Sequence, residues 1–190
     1  MKITRRQLRK LIVESGDQEK SPSQKLAGLI IANGSVNQAE DIALALEPPI
    51  DIFEVFASNY KAVNTVLLPH INDQKIDNYL YQVADNSFYE MGFFNALFYV
   101  LPNFPELSFG MSVEEIKNLI NNDPEIFEIY LDADMALGMT WSTAVADGRS
   151  MRAAVKEWLA AIAFLKIERM YKSGNKGTLS NIINSVMKAS

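Results

Sequence analysis

Apolar residues recur at spacings of three and four along almost the whole chain, and no segment of strand length alternates cleanly with a period of two. That is the pattern of amphipathic helices rather than half-buried strands. Start signals punctuate it: Thr4 with Gln7, Ser35 with Gln38, Asp51 with Glu54, Ser87 with Glu90 and Ser112 with Glu115. Each pairs a side-chain oxygen that caps early backbone amides with a Glu or Gln three residues on that bonds back. Ile50 and Val55 flank the Asp51 start as a hydrophobic staple, while Ser21-Pro22 and Asp123-Pro124 place proline at the first helical position. Gly16, Gly34, Pro48-Pro49, Pro69, Pro102 and Gly174 supply the stops. These signals predict helices over 5–15, 22–33, 36–46, 52–67, 73–85, 88–101, 113–122, 124–139, 149–172 and 179–188. The expected fold is all-α: one compact, bundle-like domain of about eight to ten helices over 22–190, with a basic helix at 1–15 and a polar tether at 16–21. Phe104–Met111 leaves room for an isolated short hairpin.

The apolar faces suggest how the helices pack. Leu26, Leu29 and Ile30 should meet Val36, Ile42, Ala43 and Leu46 across the tight Asn33-Gly34-Ser35 link, making a helical hairpin. The segment "FYEMGFFNALFYVL" is apolar on nearly all sides, so it is expected to be the central helix. From Arg149 onward, Met151, Val155, Trp158, Leu159 and Ile162 form one stripe, with Arg152, Lys156, Lys166 and Arg169 off it. That reads as a peripheral helix lying on the core. Leu179, Ile182, Ile183, Val186 and Met187 share a face after the short "SGNKG" link, and this last helix is expected to fold back on its own chain, the alternative being to dock on a neighbouring molecule.

Composition narrows the function classes. With 190 residues, 48% hydrophobic and 22% charged, the chain is built to bury a core. It has no cysteine, which removes disulfides and thiolate chemistry, and a single histidine, His70, cannot build a zinc site. The longest run without a formal charge, Met91–Pro105, is 15 residues, short of the ~20 needed to span a bilayer. Leu11, Ile12 and Val13 give way at once to Glu14, so no signal-peptide core follows the basic opening.

Charge is unevenly placed. Residues 1–14 carry five Lys/Arg and one Glu, +4 in a chain of −5, which leaves −9 for the remainder. Glu114–Asp134 is −6 and Arg149–Ser190 is +6. These equal stretches are expected to face each other or solvent, and an acidic body argues against a dedicated DNA binder.

No catalytic grouping emerges. Asp132 and Asp134 point about 200° apart on a helix, the arrangement of a solvated acidic face. Asp73 and Asp77 share a face, but Lys75 lies nearby and no further ligand is placed to complete a metal site. His70 sits in a loop without a triad partner. "SGNKGT" lacks the glycine spacing and preceding strand of a phosphate loop. Phe88, Tyr89, Phe93, Phe94, Phe98 and Tyr99, like Trp141 and Trp158, read as core, the alternative being a ligand pocket lined by the aromatic cluster. The sequence therefore points to a non-enzymatic protein that uses no cofactor or metal.

The opening "KITRRQLRKLIVES" is the distinctive feature. Capped by Thr4, it places Lys2, Arg5, Arg6, Arg9 and Lys10 on one side and Leu8, Leu11 and Ile12 on another, a basic amphipathic helix. About ten residues make a marginal helix in water, so it should order against a partner or against its own acidic body. "GDQEKSPSQ" behind it has the composition of a flexible tether. An acidic protein surface, an anionic membrane and nucleic acid all fit its charge.

This leader resembles those of virion proteins of large tailed phages, and "IVES" (Ile12, Val13, Glu14, Ser15) is similar to the maturation-protease sites of T-even-type phage heads: apolar residue, any residue, Glu, small residue. The resemblance covers about 15 of the 190 residues. It implies a leader that directs the protein into an assembling head and is cut between Glu14 and Ser15. It also implies protein partners, including capsid or other virion proteins, and a location in the virion or the host-cell cytoplasm. The alternative is a regulatory module that engages nucleic acid or a host protein through the same basic helix. Homo-oligomerisation stays open.

Overall fold

The computed structural model describes residues 20–89, 92–124, 148–174 and 177–188. Helix accounts for 77% of them and no strand occurs among them, so the protein is all-α. Nine α-helices appear among the described residues: α1 (Pro22–Asn33), α2 (Asn37–Ala45), α3 (Ile52–Ala57), α4 (Tyr60–Leu67), α5 (Asp73–Tyr89), α6 (Phe93–Val100), α7 (Val113–Asn122), α8 (Gly148–Lys172) and α9 (Leu179–Lys188). Short 3-10 turns at Leu68–His70 and Leu101–Asn103 follow α4 and α6. Two compact units are present, with boundaries inside α4 and inside α9: Thr178–Ser180 group with residues up to Val66, and Leu67–Gly177 group with Asn181 onward.

In the first unit α1 packs on α2 and α3. Ser21 and Gln24 form a reciprocal capping box at its start, the Ser21 hydroxyl accepting from the Gln24 amide at 3.3 Å and the Gln24 carbonyl from the Ser21 amide at 2.9 Å, with Pro22 just inside. Gly34 ends α1 at φ 61°, a left-handed turn that glycine adopts without Cβ strain, and its N–H reaches the Ile30 carbonyl at 2.9 Å. The expected hairpin is present, with Leu26, Ile30, Val36, Ile42 and Ala43 buried.

Two expectations in this unit need correction. The Ser35–Gln38 box is only half formed: the Ser35 hydroxyl accepts the Asn37 N–H at 3.3 Å at the start of α2, but Gln38 accepts from the Asn33 side chain at 3.0 Å. The helix predicted over 52–67 breaks at Ser58-Asn59, because the Asn59 side chain accepts the Ala62 N–H at 3.0 Å and so caps a new helix.

In the second unit α5 packs against α6 and α8, and α8 also packs against α7 and the Leu68–His70 turn. α5 runs to Tyr89, past the predicted end at 85, so Ser87 lies inside a helix and does not start one. α6 begins at Phe93 behind Gly92. α7 opens on the predicted Ser112–Glu115 capping box, with the Glu115 amide 3.2 Å from the Ser112 hydroxyl and the Ser112 amide 2.9 Å from the Glu115 carboxylate. The predicted starts at Thr4 and Asp123-Pro124, and the helix over 124–139, extend over residues outside the described set.

The expected central helix is not the central one. α6 leaves Asn95 exposed and Tyr99 60% exposed, whereas every residue of α8 from Trp158 to Leu165 is buried, and Ile167 with them. The stretch "LAAIAFL" is apolar on all sides, and the condition for a buried helix applies there. The flanking Arg152, Lys156 and Arg169 lie before and after the buried turns and carry their charges outward on long apolar stems. Phe104–Met111 is a succession of turns rather than a hairpin, with Leu107 N–H on the Phe104 carbonyl and Met111 N–H on that of Ser108. Phe109 at φ 53° and Gly110 at φ 72° are left-handed there, and the Lys166 amine donates to the Phe109 carbonyl. The apolar face of α9 is buried within this chain at all five predicted positions.

Candidate functional site

The leader residues singled out from the sequence, Lys2, Arg5, Arg6, Leu8, Arg9, Lys10, Leu11 and Ile12, and the processing site at Ile12, Glu14 and Ser15, lie outside the described residues. Asp132, Asp134 and Trp141 do too. What the structure does define is where the body's own charges go.

Four cations of the basic stretch, Arg152, Lys156, Arg169 and Lys172, are tied to carboxylates along α8. Arg152 forms a two-pronged pair with Asp77, at 2.8 and 3.1 Å, and one turn further Lys156 meets Asp73 at 2.6 Å. The spacing of four on α5 matches the spacing of four on α8, so both pairs line up between neighbouring helices. At the other end Arg169 contacts Glu115 at 3.1 Å, and Lys172 lies 2.7 Å from the buried Glu168 and 4.0 Å from Asp123. Two carboxylates of the acidic stretch, Glu115 and Asp123, therefore meet the basic one, while the acids from Glu125 to Asp134 lie outside the described residues. Asp73 and Asp77, the pair that shares a face, are engaged by cations. No group of three or more His, Asp or Glu side chains that could hold a metal occurs among the described residues.

Lys156 holds the Asp73 carboxyl below its ordinary value of 3.8, by hydrogen bond and charge. The Ser112 amide, the Arg169 guanidinium and the Ser112 hydroxyl hold Glu115 below 4.5. A depressed carboxylate adds stability that is present above its unfolded pKa and is lost as pH falls through its folded pKa. Acid titration should therefore narrow the stability gap between the wild-type protein and Asp73→Asn, with the gap intact at neutral pH and closing only below about pH 4. Denaturant midpoints measured across that range check this; a gap that is constant with pH would contradict it.

Beneath the charges lies an aromatic group. Tyr79 stacks on Trp158, with centroids 6.3 Å apart and planes 13° from parallel, and meets Phe104 edge-on at 5.3 Å; Phe98 meets Trp158 edge-on at 5.5 Å. The Tyr79 hydroxyl donates to the Leu97 carbonyl at 2.6 Å, and burial pushes its phenol pKa up. Trp158 was legible as core from its spacing, whereas Phe98, also read as core, is only half-buried. Tyr79 was not singled out, although Ile76 and Val83, three residues before and four after, place it on the buried stripe of α5. His70 is exposed in its 3-10 turn.

Searches against protein-family models, curated proteins and solved structures find no match to this chain. No helix among the described residues is long and apolar enough to cross a membrane.

Proposed function

We propose that the chain is a non-enzymatic virion or accessory protein of phage type, whose helical body makes protein contacts and whose basic leader addresses it to an assembling particle and is cut after Glu14. The observation that carries this reading is the separation of charge. The leader is +4 against a remainder of −9, while the other basic stretch has Arg152, Lys156, Arg169 and Lys172 engaged with carboxylates of the body. Cations already neutralised by neighbouring carboxylates make a poor phosphate-binding face, so the leader is the stronger candidate for a charge-guided partner. The resemblance of Ile12, Glu14 and Ser15 to a head-protease site supplies the particle.

Mass spectrometry of the protein recovered from native particles tests it. The expected species begins at Ser15. An intact Met1 terminus, or absence from particles, overturns the targeting role. Salt-sensitive retention on DNA that is lost when Arg5, Arg6 and Arg9 are replaced by Glu would favour the regulatory, nucleic-acid-binding alternative instead.

A further inference from the structure

In "NQAEDIALA" Glu40 follows the fully buried Ala39 and falls on the inner side of α2, with only 8% of its surface exposed. A carboxylate in that position costs stability unless it is hydrogen-bonded. Its partners come from 139 and 140 residues further along: Oε1 accepts the Leu179 N–H at 2.6 Å, and Oε2 lies 3.5 Å from the Ser180 nitrogen. These are opening amides of α9, which a helix cannot satisfy from within, and the negative charge sits at the positive end of the helix dipole. Glu40, Leu179 and Ser180 all belong to the first unit.

α9 itself is ten residues long, a length at which a helix is marginal without outside support. It is entered through a link that turns at Gly174, φ 74°, and its apolar face is covered at Leu179, Ile182, Ile183, Val186 and Met187. We propose that Glu40 is the latch of the first turn of α9: its carboxylate holds Leu179 and Ser180 onto the first unit, and loss of that carboxylate frees this turn locally while α1 and α8 stay folded. The feature is a conformational device independent of the leader.

Hydrogen exchange followed by mass spectrometry on the full chain tests it, comparing wild type with Glu40→Ala and Glu40→Gln. Exchange in the α9 peptide should rise roughly tenfold in Glu40→Ala, the scale of a lost hydrogen bond to a charged acceptor. It should rise less in Glu40→Gln, which keeps one carbonyl oxygen, and peptides from α1 and α8 should exchange at wild-type rates in both. Unchanged protection of α9, or a rise matched in α1 and α8, overturns the latch. So does failure of both variants to fold, which would make Glu40 a structural part of the first unit rather than a releasable tie.

Discussion

Ala160→Glu should abolish folding of the second unit. Ala160 is fully buried and lies on the side of α8 opposite the stripe of Val155, Trp158, Leu159 and Ile162, together with Phe164 and Ile167, all buried as well. Were α8 a peripheral helix, that side would face water and a glutamate there would be harmless. Inside the unit, the added carboxylate faces a desolvation cost of several kcal/mol, and the larger side chain adds about 1–3 kcal/mol of overpacking. Together these match the whole stability of a typical domain, about 5–15 kcal/mol. Circular dichroism should show a large loss of helix, or the protein should be insoluble. A cooperative melt at the wild-type temperature would return α8 to the periphery.

Trp158→Ala should cost about 3–5 kcal/mol, the range for emptying a large aromatic site in a core. Trp158 is 2% exposed and is held between the face of Tyr79 and the edge of Phe98, so the substitution removes volume and two ring contacts together. Trp158→Phe should be much milder: it keeps a ring in the stack, and the indole N–H it deletes has no hydrogen-bond partner among the described residues. Urea midpoints for the two variants decide the matter, and equal losses would mean that the ring contacts contribute little.

Local chemistry was the legible part of this sequence. Ser112–Glu115, Gly34, and Pro22 behind Ser21 work through atoms within about one turn of one another, and each does in the structure what its spacing implies. Where sequence reading failed, two local options competed. Ser35 could cap with Gln38, but Gln38 is within reach of Asn33; Ser87 could start a helix, but α5 continues through it. The placement of α8 was misread for a different reason. Projecting the whole of 149–172 onto one wheel averages its charged ends with its apolar middle, so the wholly buried stretch from Trp158 to Leu165 resembled a stripe. Glu40 carried no local signal at all, since its partners lie about 140 residues away. The ion pairs Arg152–Asp77 and Lys156–Asp73 are intermediate: the spacing of four was visible on each helix separately, but that α5 and α8 are neighbours was not.

Trp158 is buried in the second unit, and residues 1–66 and 178–180, which span the first, contain no tryptophan. Intrinsic emission excited at the red edge therefore watches one unit while far-ultraviolet dichroism watches both. Unfolding curves that superpose by the two methods would mean a single cooperative block, and curves that separate would give each unit its own melting temperature without a label or a truncation.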